Sequence, residues 1–403
     1  MCTSMAVTCD GCLYFGRNMD LHYDFPARIT RVKRGERLIF KTLGEVCAEL
    51  DFFGMGVTEG GFPLLADGVN SRGLCAAALN FPKSAYYLPE KALGKRGVRS
   101  NGARSCESNK QDKGDAQGIA EKPCESQNES QRAKNESHRI FLAPYELIPW
   151  ALGRFSTAAE LKRALSLVTL VDIPFSESIG TSPLHFHFAD KDESITVEPL
   201  AQGLTVTPNP YGVLTNEPPF DYHLTSMELY SHLTPRSVTG EEIAESGKKS
   251  ARVADNALKT ENARNAECKQ GTISEQGSEI TEDKQAAKAE EKAKAQEVSP
   301  LSLGLGAVGL PGDYSSPSRF VKLAFLKKYA VLGDTEEERF SALFSLMSSV
   351  APPRGAVLTP EGAPHFTVYT AVINAATSEY RYITYDRTGA AARSAHNVCI
   401  ANS

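Results

Sequence analysis

The sequence predicts an α+β domain in which strands and helices form separate layers. Segments with strand character come in runs at the N-terminus, around residues 185–214 and near the C-terminus, and the helical segments lie between these runs. A doubly wound parallel sheet would instead show single strands and helices in alternation. No GxGxxG motif or phosphate-binding glycine loop follows a predicted strand, so the sequence also argues against nucleotide chemistry.

The first predicted element is a β-hairpin at the N-terminus. Residues 2–9 and 12–19 flank Asp10-Gly11, a dipeptide typical of the two-residue type I′ turn. The turn determines which residues of the two strands face each other. The opposed pairs are therefore Cys2 with Met19 and Ser4 with Arg17.

The remaining elements follow in chain order. Further strands are predicted at residues 27–32, 64–67, 73–79, 185–189, 194–197, 204–207, 211–214, 365–373 and 380–385. Helices are predicted from their apolar spacing at residues 145–153, 157–167, 318–329 and 335–349. The second of these helices opens with a capping box, because Glu160 stands three residues after Thr157.

Two stretches dilute the hydrophobic content of 41%. No Phe, Tyr or Trp occurs over residues 88–140 or 231–313. Segments of such polar composition cannot bury enough apolar surface to offset the entropy lost on ordering. We therefore interpret the chain, residues 1–403, as a single domain interrupted by low-complexity insertions at about 93–138 and 236–300.

Composition excludes several functional classes. A net charge of -5 over 403 residues provides no basic field for nucleic acid or an anionic membrane. The longest apolar stretch, residues 140–152, is interrupted by two prolines and a glutamate and is too short to span a bilayer. The first residues show no signal-peptide pattern, and nine cysteines are too few for a disulfide scaffold. We expect a soluble, cytoplasmic protein that binds neither nucleic acid nor membrane.

Two motifs have the spacing of metal ligands, but neither predicts a metal site. Cys9 and Cys12 form a CxxC motif that straddles the predicted turn, and the chain has no second CxxC. His185 and His187 share one face of a strand, without a third ligand at a diagnostic spacing. We interpret both pairs as structural and expect no metal.

The position of Cys2, directly after the initiator methionine, has chemical consequences. Removal of Met1 would give Cys2 a free α-amine, which titrates close enough to neutral pH to serve as the base for its own thiol. Arg17 would lie diagonally across the hairpin, where a permanent cation favours the thiolate. Asp20, opposite the place vacated by Met1, could orient the amine. An ordinary hairpin with a surface arginine and aspartate accounts for the same residues without any chemistry.

Six motifs in order along the chain place this hairpin in a wider pattern. They are MCTSMAV at 1–7, FGRNMD at 15–20, LLADGVNSRGL at 64–74, LNFP at 79–82, GVLTNEP at 212–218 and LPGDYSSPSRF at 310–320. Together they resemble the choloylglycine hydrolase family, which includes bile salt hydrolases and penicillin V acylases and belongs to the N-terminal nucleophile hydrolases. The resemblance extends over the chain outside the two insertions. It implies an αββα four-layer sandwich, in which two antiparallel sheets lie between helical layers.

The resemblance also implies a catalytic set, carried over by position. Cys2 would be the nucleophile, Arg17 and Asp20 would support its thiol and amine, and the remaining members are Asn80 and Asn216 in the oxyanion hole and Arg319 in the surrounding polar site. Amide hydrolysis passes through a tetrahedral oxyanion, for which a fixed side-chain amide is a suitable donor. No metal or organic cofactor is implied. Family members generally have a much shorter stretch between the LTNEP and SRF motifs, so the insertion at 236–300 is unusual and could shield the site.

Among the family's substrates, Asn80 favours conjugated bile salts, because penicillin acylases often place tyrosine at this position. The implied reaction is hydrolysis of the amide bond of glycine- or taurine-conjugated bile salts. The alternative enzyme is a penicillin V acylase or acyl-homoserine-lactone acylase, and the alternative of another class is an inactive protein that binds bile acids or other amphiphiles. A homo-oligomer such as a tetramer is also implied. Candidate residues for an apolar substrate pocket are Met19, Phe25, Phe62, Phe81 and Phe220.

Overall fold

The computed structural model of the chain describes residues 1–23, 25–26, 28–92, 139–236, 303–385 and 394–399, the last of these by backbone alone. The insertion predicted at 93–138 lies outside the described residues, as does the one predicted at 236–300 from residue 237 onward. None of the described helices is long and apolar enough to cross a membrane.

Strands and helices are numbered in chain order. The strands are β1 (Cys2–Cys9), β2 (Cys12–Leu21), β3 (Arg28–Val32), β4 (Arg37–Phe40), β5 (Gly44–Cys47), β6 (Phe52–Glu59), β7 (Phe62–Leu65), β8 (Asp67–Asn70), β9 (Cys75–Asn80), β10 (Leu88–Pro89), β11 (Ile140–Leu142), β12 (Val168–Asp172), β13 (Leu184–Ala189), β14 (Ser194–Leu200), β15 (Gly203–Pro208), β16 (Val213–Leu214), β17 (Val357–Leu358), β18 (Pro364–Asn374), β19 (Glu379–Thr384) and β20 (Ser394–Cys399). The α-helices are α1 (Leu147–Leu152), α2 (Ala158–Leu165), α3 (Phe220–Glu228), α4 (Ser316–Tyr329) and α5 (Glu336–Ser348). Short 3₁₀ helices occupy Pro144–Glu146 and Leu305–Ala307.

Two large antiparallel sheets form the centre of the fold. The first has the strand order β16-β1-β2-β18-β19-β20, and the second has the order β15-β14-β13-β9-β8-β6-β3. Helices α4 and α5 pack on the first sheet, α1 and α2 pack on the second, and β1 contacts β9 across the two sheets. The predicted αββα sandwich is therefore confirmed.

The cores follow from the alternation of side chains along the central strands. Successive residues of a strand point to opposite faces of its sheet. On β6, Phe53 joins the core that includes the first sheet with α4 and α5, whereas Phe52 joins the core between the second sheet and α1 and α2. Trp150 of α1 lies in the second core, and Met347 of α5 lies in the first.

The N-terminal hairpin has the predicted register. Cys2 lies opposite Met19, and the pairing continues without a bulge to the last pair before the turn, Cys9 and Cys12, which are free thiols. Asp10 and Gly11 have φ angles of 49° and 74°, and a type I′ turn requires positive φ at both central residues. Strand β2 also pairs with β18, so the hairpin lies in the interior of the first sheet.

Several elements differ from the sequence prediction. The single strand predicted at 64–67 is wrong, because β7 ends at Leu65 and β8 begins at Asp67. The capping box predicted at Thr157 forms only in part: Thr157 accepts a hydrogen bond from the N–H of Glu160, but the Glu160 carboxylate binds the N–H of Ser156 instead. The elements that were not predicted at all are helix α3 and the strands β4, β5, β6, β10, β11, β12, β17 and β20.

Strand β6 escaped prediction because it contains two glycines, which usually weaken a strand. Both are required here by close backbone contacts. A Cβ atom on Gly54 would lie 1.9 Å from the carbonyl oxygen of Asp67, and one on Gly56 would lie 2.2 Å from that of Leu64. These glycines let β7 and β8 pair closely with the same strand.

The chain divides into two compact units, residues 1–228 with 311–403 and residues 229–310. Both large sheets and all five α-helices described above belong to the first unit. Within the second unit, the N–H of Thr234 donates to the carbonyl of Gly306 at 3.0 Å. A single interrupted domain stays a prediction.

Candidate active site

Cys2 begins β1 and is held by long-range contacts on both sides of its backbone. Its N–H donates to the side-chain oxygen of Asn216 at 2.7 Å, and its carbonyl accepts from Nη1 of Arg319 at 2.6 Å. The residue is 3% exposed. Its Sγ lies 3.8 Å from Sδ of Met19, the residue opposite it in the hairpin. Cys2 is therefore fixed at the start of an interior strand by residues 19, 216 and 319.

Arg319, in the first turn of α4, joins several parts of the site. Its Nη1 also contacts the hydroxyl of Thr3, Nη2 donates to Oδ1 of Asn216 at 2.8 Å, and Nε donates to the carbonyl of Tyr314 at 3.0 Å. Burial lowers the pKa of Arg319, and the carboxylate of Asp20 opposes this shift. All three guanidinium nitrogens are occupied within the protein, so Arg319 positions β1 and Asn216.

Asn216 follows β16 and is 8% exposed. Its Oδ1 accepts from both Cys2 and Arg319, while its Nδ2 donates to the backbone carbonyl of Asn80 at 2.8 Å. This last bond uses one of the two hydrogens of the amide group, so a second N–H is available to another acceptor. Asn80 ends β9, and its own side chain is exposed.

Arg17 lies diagonally from Cys2, as the hairpin predicts, and is 1% exposed. Its Nη2 donates to the carbonyl of Ala78 at 2.6 Å and lies 3.4 Å from Sδ of Met19. The Met19 sulfur therefore contacts both the thiol and the guanidinium. Burial alone would lower the pKa of Arg17, but neighbouring negative groups, led by Cys2, raise it above its ordinary value. Arg17 is a permanent cation beside the thiol.

Asp20 is fully buried, and its backbone pairs with that of Met1 in both directions, at 3.0 and 3.1 Å. Its Oδ1 accepts from the hydroxyl of Thr367 at 2.7 Å. Its Oδ2 lies 3.9 Å from Nη1 of Arg319 and has no hydrogen-bond donor among the described residues. Burial raises the pKa of Asp20, and the charge of Arg319 is the strongest opposing influence. A buried carboxylate oxygen without a donor normally indicates a missing partner.

The structure thus brings the six predicted polar residues together, whereas the predicted pocket residues separate into two groups. Met19 and Phe25 are half-buried. The other three are packed in cores: Phe81 stacks on the ring of His185 at 4.2 Å, Phe220 packs in the first core, and Phe62 packs in the second. A role for these three in lining a pocket would require their side chains to leave this packing.

The two histidines that we interpret from the sequence as structural, and not as metal ligands, are hydrogen-bonded within the protein. His185 contacts the carboxylate of Glu198 at 3.1 Å and a backbone carbonyl at 2.8 Å. The two ring nitrogens of His187 contact the hydroxyls of Ser4 and Ser194, each at 2.8 Å. No group of three or more potential metal ligands occurs in the described part of the chain.

Sequence reasoning missed a second buried polar cluster close to Arg17. The hydroxyls of Tyr369 and Tyr380 each donate to Asp67, to Oδ2 and Oδ1 respectively, at 2.6 Å. All three side chains are 0–2% exposed. The available signal was an aspartate within an apolar strand, in the LLADGVNSRGL motif, but its tyrosine partners lie more than 300 residues away in the sequence.

Comparison with known proteins gives this arrangement a context. The family model described as linear amide C–N hydrolases, choloylglycine hydrolase family, matches residues 2–103, 127–252 and 280–394. A bile salt hydrolase/transferase of Lactiplantibacillus plantarum is 28% identical over 378 residues, which cover 93% of this chain and 86% of that protein. A conjugated bile acid hydrolase of Lactobacillus gasseri is 29% identical, with 94% of this chain and 91% of that protein covered.

Solved structures agree with these matches. A mutant of the conjugated bile acid hydrolase from Clostridium perfringens superposes with a TM-score of 0.67 at 27% identity, covering 99% of this chain and 92% of that one. A penicillin V acylase from Agrobacterium tumefaciens superposes with a TM-score of 0.55 at 16% identity, covering 99% and 86% of the two chains. At that identity the second match supports a shared fold alone.

Proposed function

Because this chain belongs to the choloylglycine hydrolase family of linear amide C–N hydrolases, we propose that it hydrolyses glycine- or taurine-conjugated bile salts with Cys2 as nucleophile. The relatives named as bile salt or conjugated bile acid hydrolases support this substrate class, since they align over most of both chains. The observation that carries the mechanism is the pairing of Cys2 N–H with Asn216 beside an Asp20 oxygen that has no described donor.

Removal of Met1 converts the Cys2 nitrogen into a primary amine. A neutral amine has two hydrogens and one lone pair, and the site offers two acceptors for those hydrogens: Oδ1 of Asn216, already 2.7 Å away, and Oδ2 of Asp20. With both hydrogens donated, the lone pair is free to take the proton of the Cys2 thiol. Arg17 stabilises the thiolate that results, because an adjacent cation favours the charged form.

The thiolate then attacks the carbonyl carbon of the amide, and the negative charge moves to the carbonyl oxygen. The second N–H of Asn216 and the exposed amide of Asn80 are the donors we assign to this oxyanion. A single fixed donor of this kind contributes about 10²–10³ to the rate.

Collapse of the tetrahedral intermediate breaks the carbon–nitrogen bond. The proton held by the Cys2 ammonium passes to the departing nitrogen, so glycine or taurine leaves as an amine and the bile acyl group remains as a thioester on Sγ. The amine, neutral again, takes a proton from water, whose oxygen attacks the thioester carbonyl. Release of the free bile acid returns the thiol.

The test is release of glycine from glycocholate by the purified protein under reducing conditions. Intact mass first shows whether Met1 is absent, and Cys2→Ala is compared with Cys9→Ala, which removes a half-buried thiol at the far end of the hairpin. We expect glycine release in the wild type and in Cys9→Ala and none in Cys2→Ala. Release that persists in Cys2→Ala would refute the assigned nucleophile.

The same assay separates the remaining alternatives. Hydrolysis of penicillin V or an N-acyl-homoserine lactone but not of glycocholate would show that the enzyme acts on a different class of amide substrate. Binding of cholate without hydrolysis of any amide, in protein shown to lack Met1, would indicate an amphiphile-binding protein. The implied homo-oligomer and the cytoplasmic location are proposals that light scattering and cell fractionation would test.

A further inference from the structure

The buried cluster around Asp67 lies directly beside the candidate active site. Asp67 on β8 is paired with Ala77 on β9, the neighbour of Ala78, whose carbonyl accepts from Arg17. Tyr369 on β18 is paired with Met19 on β2, the residue that contacts both the Cys2 thiol and Arg17. The cluster therefore bridges the two sheets at the level of Arg17.

The hydrogen bonds of the cluster define which groups carry protons. Burial raises the pKa values of Tyr369 and Tyr380 well above their ordinary range, so both hydroxyls stay protonated and donate. Asp67 accepts one bond on each oxygen. Burial raises the pKa of Asp67, and the two hydroxyls together with Arg17 oppose this shift. The two donated hydrogen bonds and the charge of Arg17 each favour the carboxylate form of Asp67 over the neutral acid.

The buried ionic side chains around Cys2 carry no net charge only when Asp67 is counted with them. Arg17 and Arg319 are buried cations, and Asp20 supplies one buried negative charge. With Asp67 as the second negative charge, the fixed groups sum to zero before the Cys2 thiol or amine ionises. Without Asp67 the same volume would hold an uncompensated positive charge, which is costly in a low-dielectric interior and favours the thiolate strongly.

We propose that Asp67 acts on the active site through Arg17: its carboxylate, fixed by two tyrosine hydroxyls, balances the buried charge of Arg17 and thereby sets how readily the Cys2 thiol ionises. Arg17 does not depend on Asp67 for its place, because it is bonded to the carbonyl of Ala78. The negative charge of Asp67 weakens the effect of the Arg17 charge on the sulfur of Cys2. This keeps the thiol from becoming too acidic, and a thiolate loses intrinsic nucleophilicity as its conjugate thiol becomes more acidic.

The titratable and charged groups near Asp67 come from several strands packed against it. They are Arg17 of β2, Cys75 of β9, and Tyr369 and Tyr380 of β18 and β19. Burial raises the pKa of Cys75 well above its usual value, so this thiol stays neutral. Among the described neighbours, Arg17 is thus the one permanent charge that Asp67 faces.

The experiment measures alkylation of Cys2 by iodoacetamide as a function of pH, with Cys2, Cys9 and Cys12 resolved by fragment mass spectrometry of the N-terminal peptide. Asp67→Asn keeps the shape and an acceptor for the tyrosines but removes the charge. We expect the midpoint of Cys2 alkylation to fall by about 0.5–1 pH unit, so that alkylation below the wild-type midpoint is roughly three to ten times faster. Asp192→Asn, which removes an exposed carboxylate elsewhere, should leave the midpoint unchanged.

A second variant keeps the test decisive if Asp67→Asn folds poorly. Tyr380→Phe removes one donor to Asp67, and the charge of Cys2 acts on Tyr369 but is not among the influences on Tyr380. Loss of this donor favours the neutral acid at Asp67, which removes part of its negative charge, so we expect a smaller downward shift of the same midpoint. A purely structural role would lower thermal stability without moving the alkylation midpoint, and that result, or an upward shift, would overturn the proposal.

The inference rests on the proposed role of Cys2, but the two can fail separately. Alkylation reports ionisation of the thiol whether or not a bile salt is hydrolysed. An unmoved midpoint together with glycine release that depends on Cys2 would refute the role of Asp67 alone. Glycine release that persists in Cys2→Ala would refute the proposed nucleophile, whatever the alkylation midpoint shows.

Discussion

At the scale of single residues, Asn216 and Asn80 differ in how strongly their side-chain amides are bonded to the rest of the protein. Asn216 is buried and bonded to Cys2, Arg319 and the Asn80 carbonyl. The side chain of Asn80 is exposed at the end of its strand. Under the proposed mechanism, loss of the first amide would therefore disturb the position of Cys2 as well as the oxyanion, whereas loss of the second would remove a donor alone.

This difference leads to a prediction for Asn80→Ala. We expect kcat for glycocholate to fall by about 10²–10³, because one oxyanion donor is lost. The free energy of unfolding should change by less than about 0.5 kcal/mol, as for most exposed substitutions. Steady-state kinetics and urea unfolding measure the two quantities. An unchanged kcat would remove Asn80 from the oxyanion hole.

The single residues that sequence could predict share one property. Cys2, Arg17 and Asp20 lie within one hairpin, whose register follows from a two-residue turn, so their relative placement is a local problem. Asn216 and Arg319 were identified only through the family resemblance. Asp67 was missed because its role depends on tyrosines contributed by the opposite sheet, and no local pattern encodes such a contact.

At the scale of elements, strand β6 shows how tertiary contacts override local preference. Its glycines disfavour a strand when considered alone, yet the backbone of residues 64–68 approaches them too closely for any side chain. The N-terminal hairpin shows the opposite case, in which turn chemistry and alternation agree and the prediction was correct in every pair. Strand β12 was also missed, and it pairs in parallel with β10 and β11 in a separate small sheet.

Gly54→Ala tests the requirement for close approach in β6. The added Cβ would lie 1.9 Å from the backbone oxygen of Asp67, so β6 or β8 must shift. We expect the free energy of unfolding to fall by about 1–3 kcal/mol, the usual cost of overpacking. Gly180→Ala is the matched control, because no atom lies within 4 Å of its added Cβ. Equal stability of the two variants in urea would contradict this account.

At the scale of the whole molecule, folding buries histidines on a central strand and on helix α3, and burial moves their pKa values far from the ordinary range. Burial lowers the pKa of His187 to about 3 and that of His223 to about 4. An unfolded chain binds protons at these positions below about pH 6.5, whereas the folded protein does not until the pH falls to those lower values. The native state therefore loses stability as the pH drops through this interval.

We expect the free energy of unfolding to decrease by up to about 1.4 kcal/mol per pH unit for each of the two histidines below pH 6.5. His187→Asn should reduce this slope, because asparagine can bond a serine hydroxyl without titrating. Exposed His232→Asn serves as the control and should leave the slope unchanged. Urea unfolding at pH 7, 6 and 5 measures the effect, and identical slopes in wild type and His187→Asn would refute it.

The double backbone pairing between Met1 and Asp20 constrains how the protein is made. In the folded chain the Met1–Cys2 peptide is part of an interior hairpin, with the Cys2 nitrogen and carbonyl already bound by Asn216 and Arg319. A peptidase needs this bond in an extended, accessible form. Under the proposed mechanism, methionine excision must then precede the folding of the N-terminal hairpin against residues 216 and 319. In that mechanism, a molecule that folds with Met1 in place has no free Cys2 amine and is expected to be inactive.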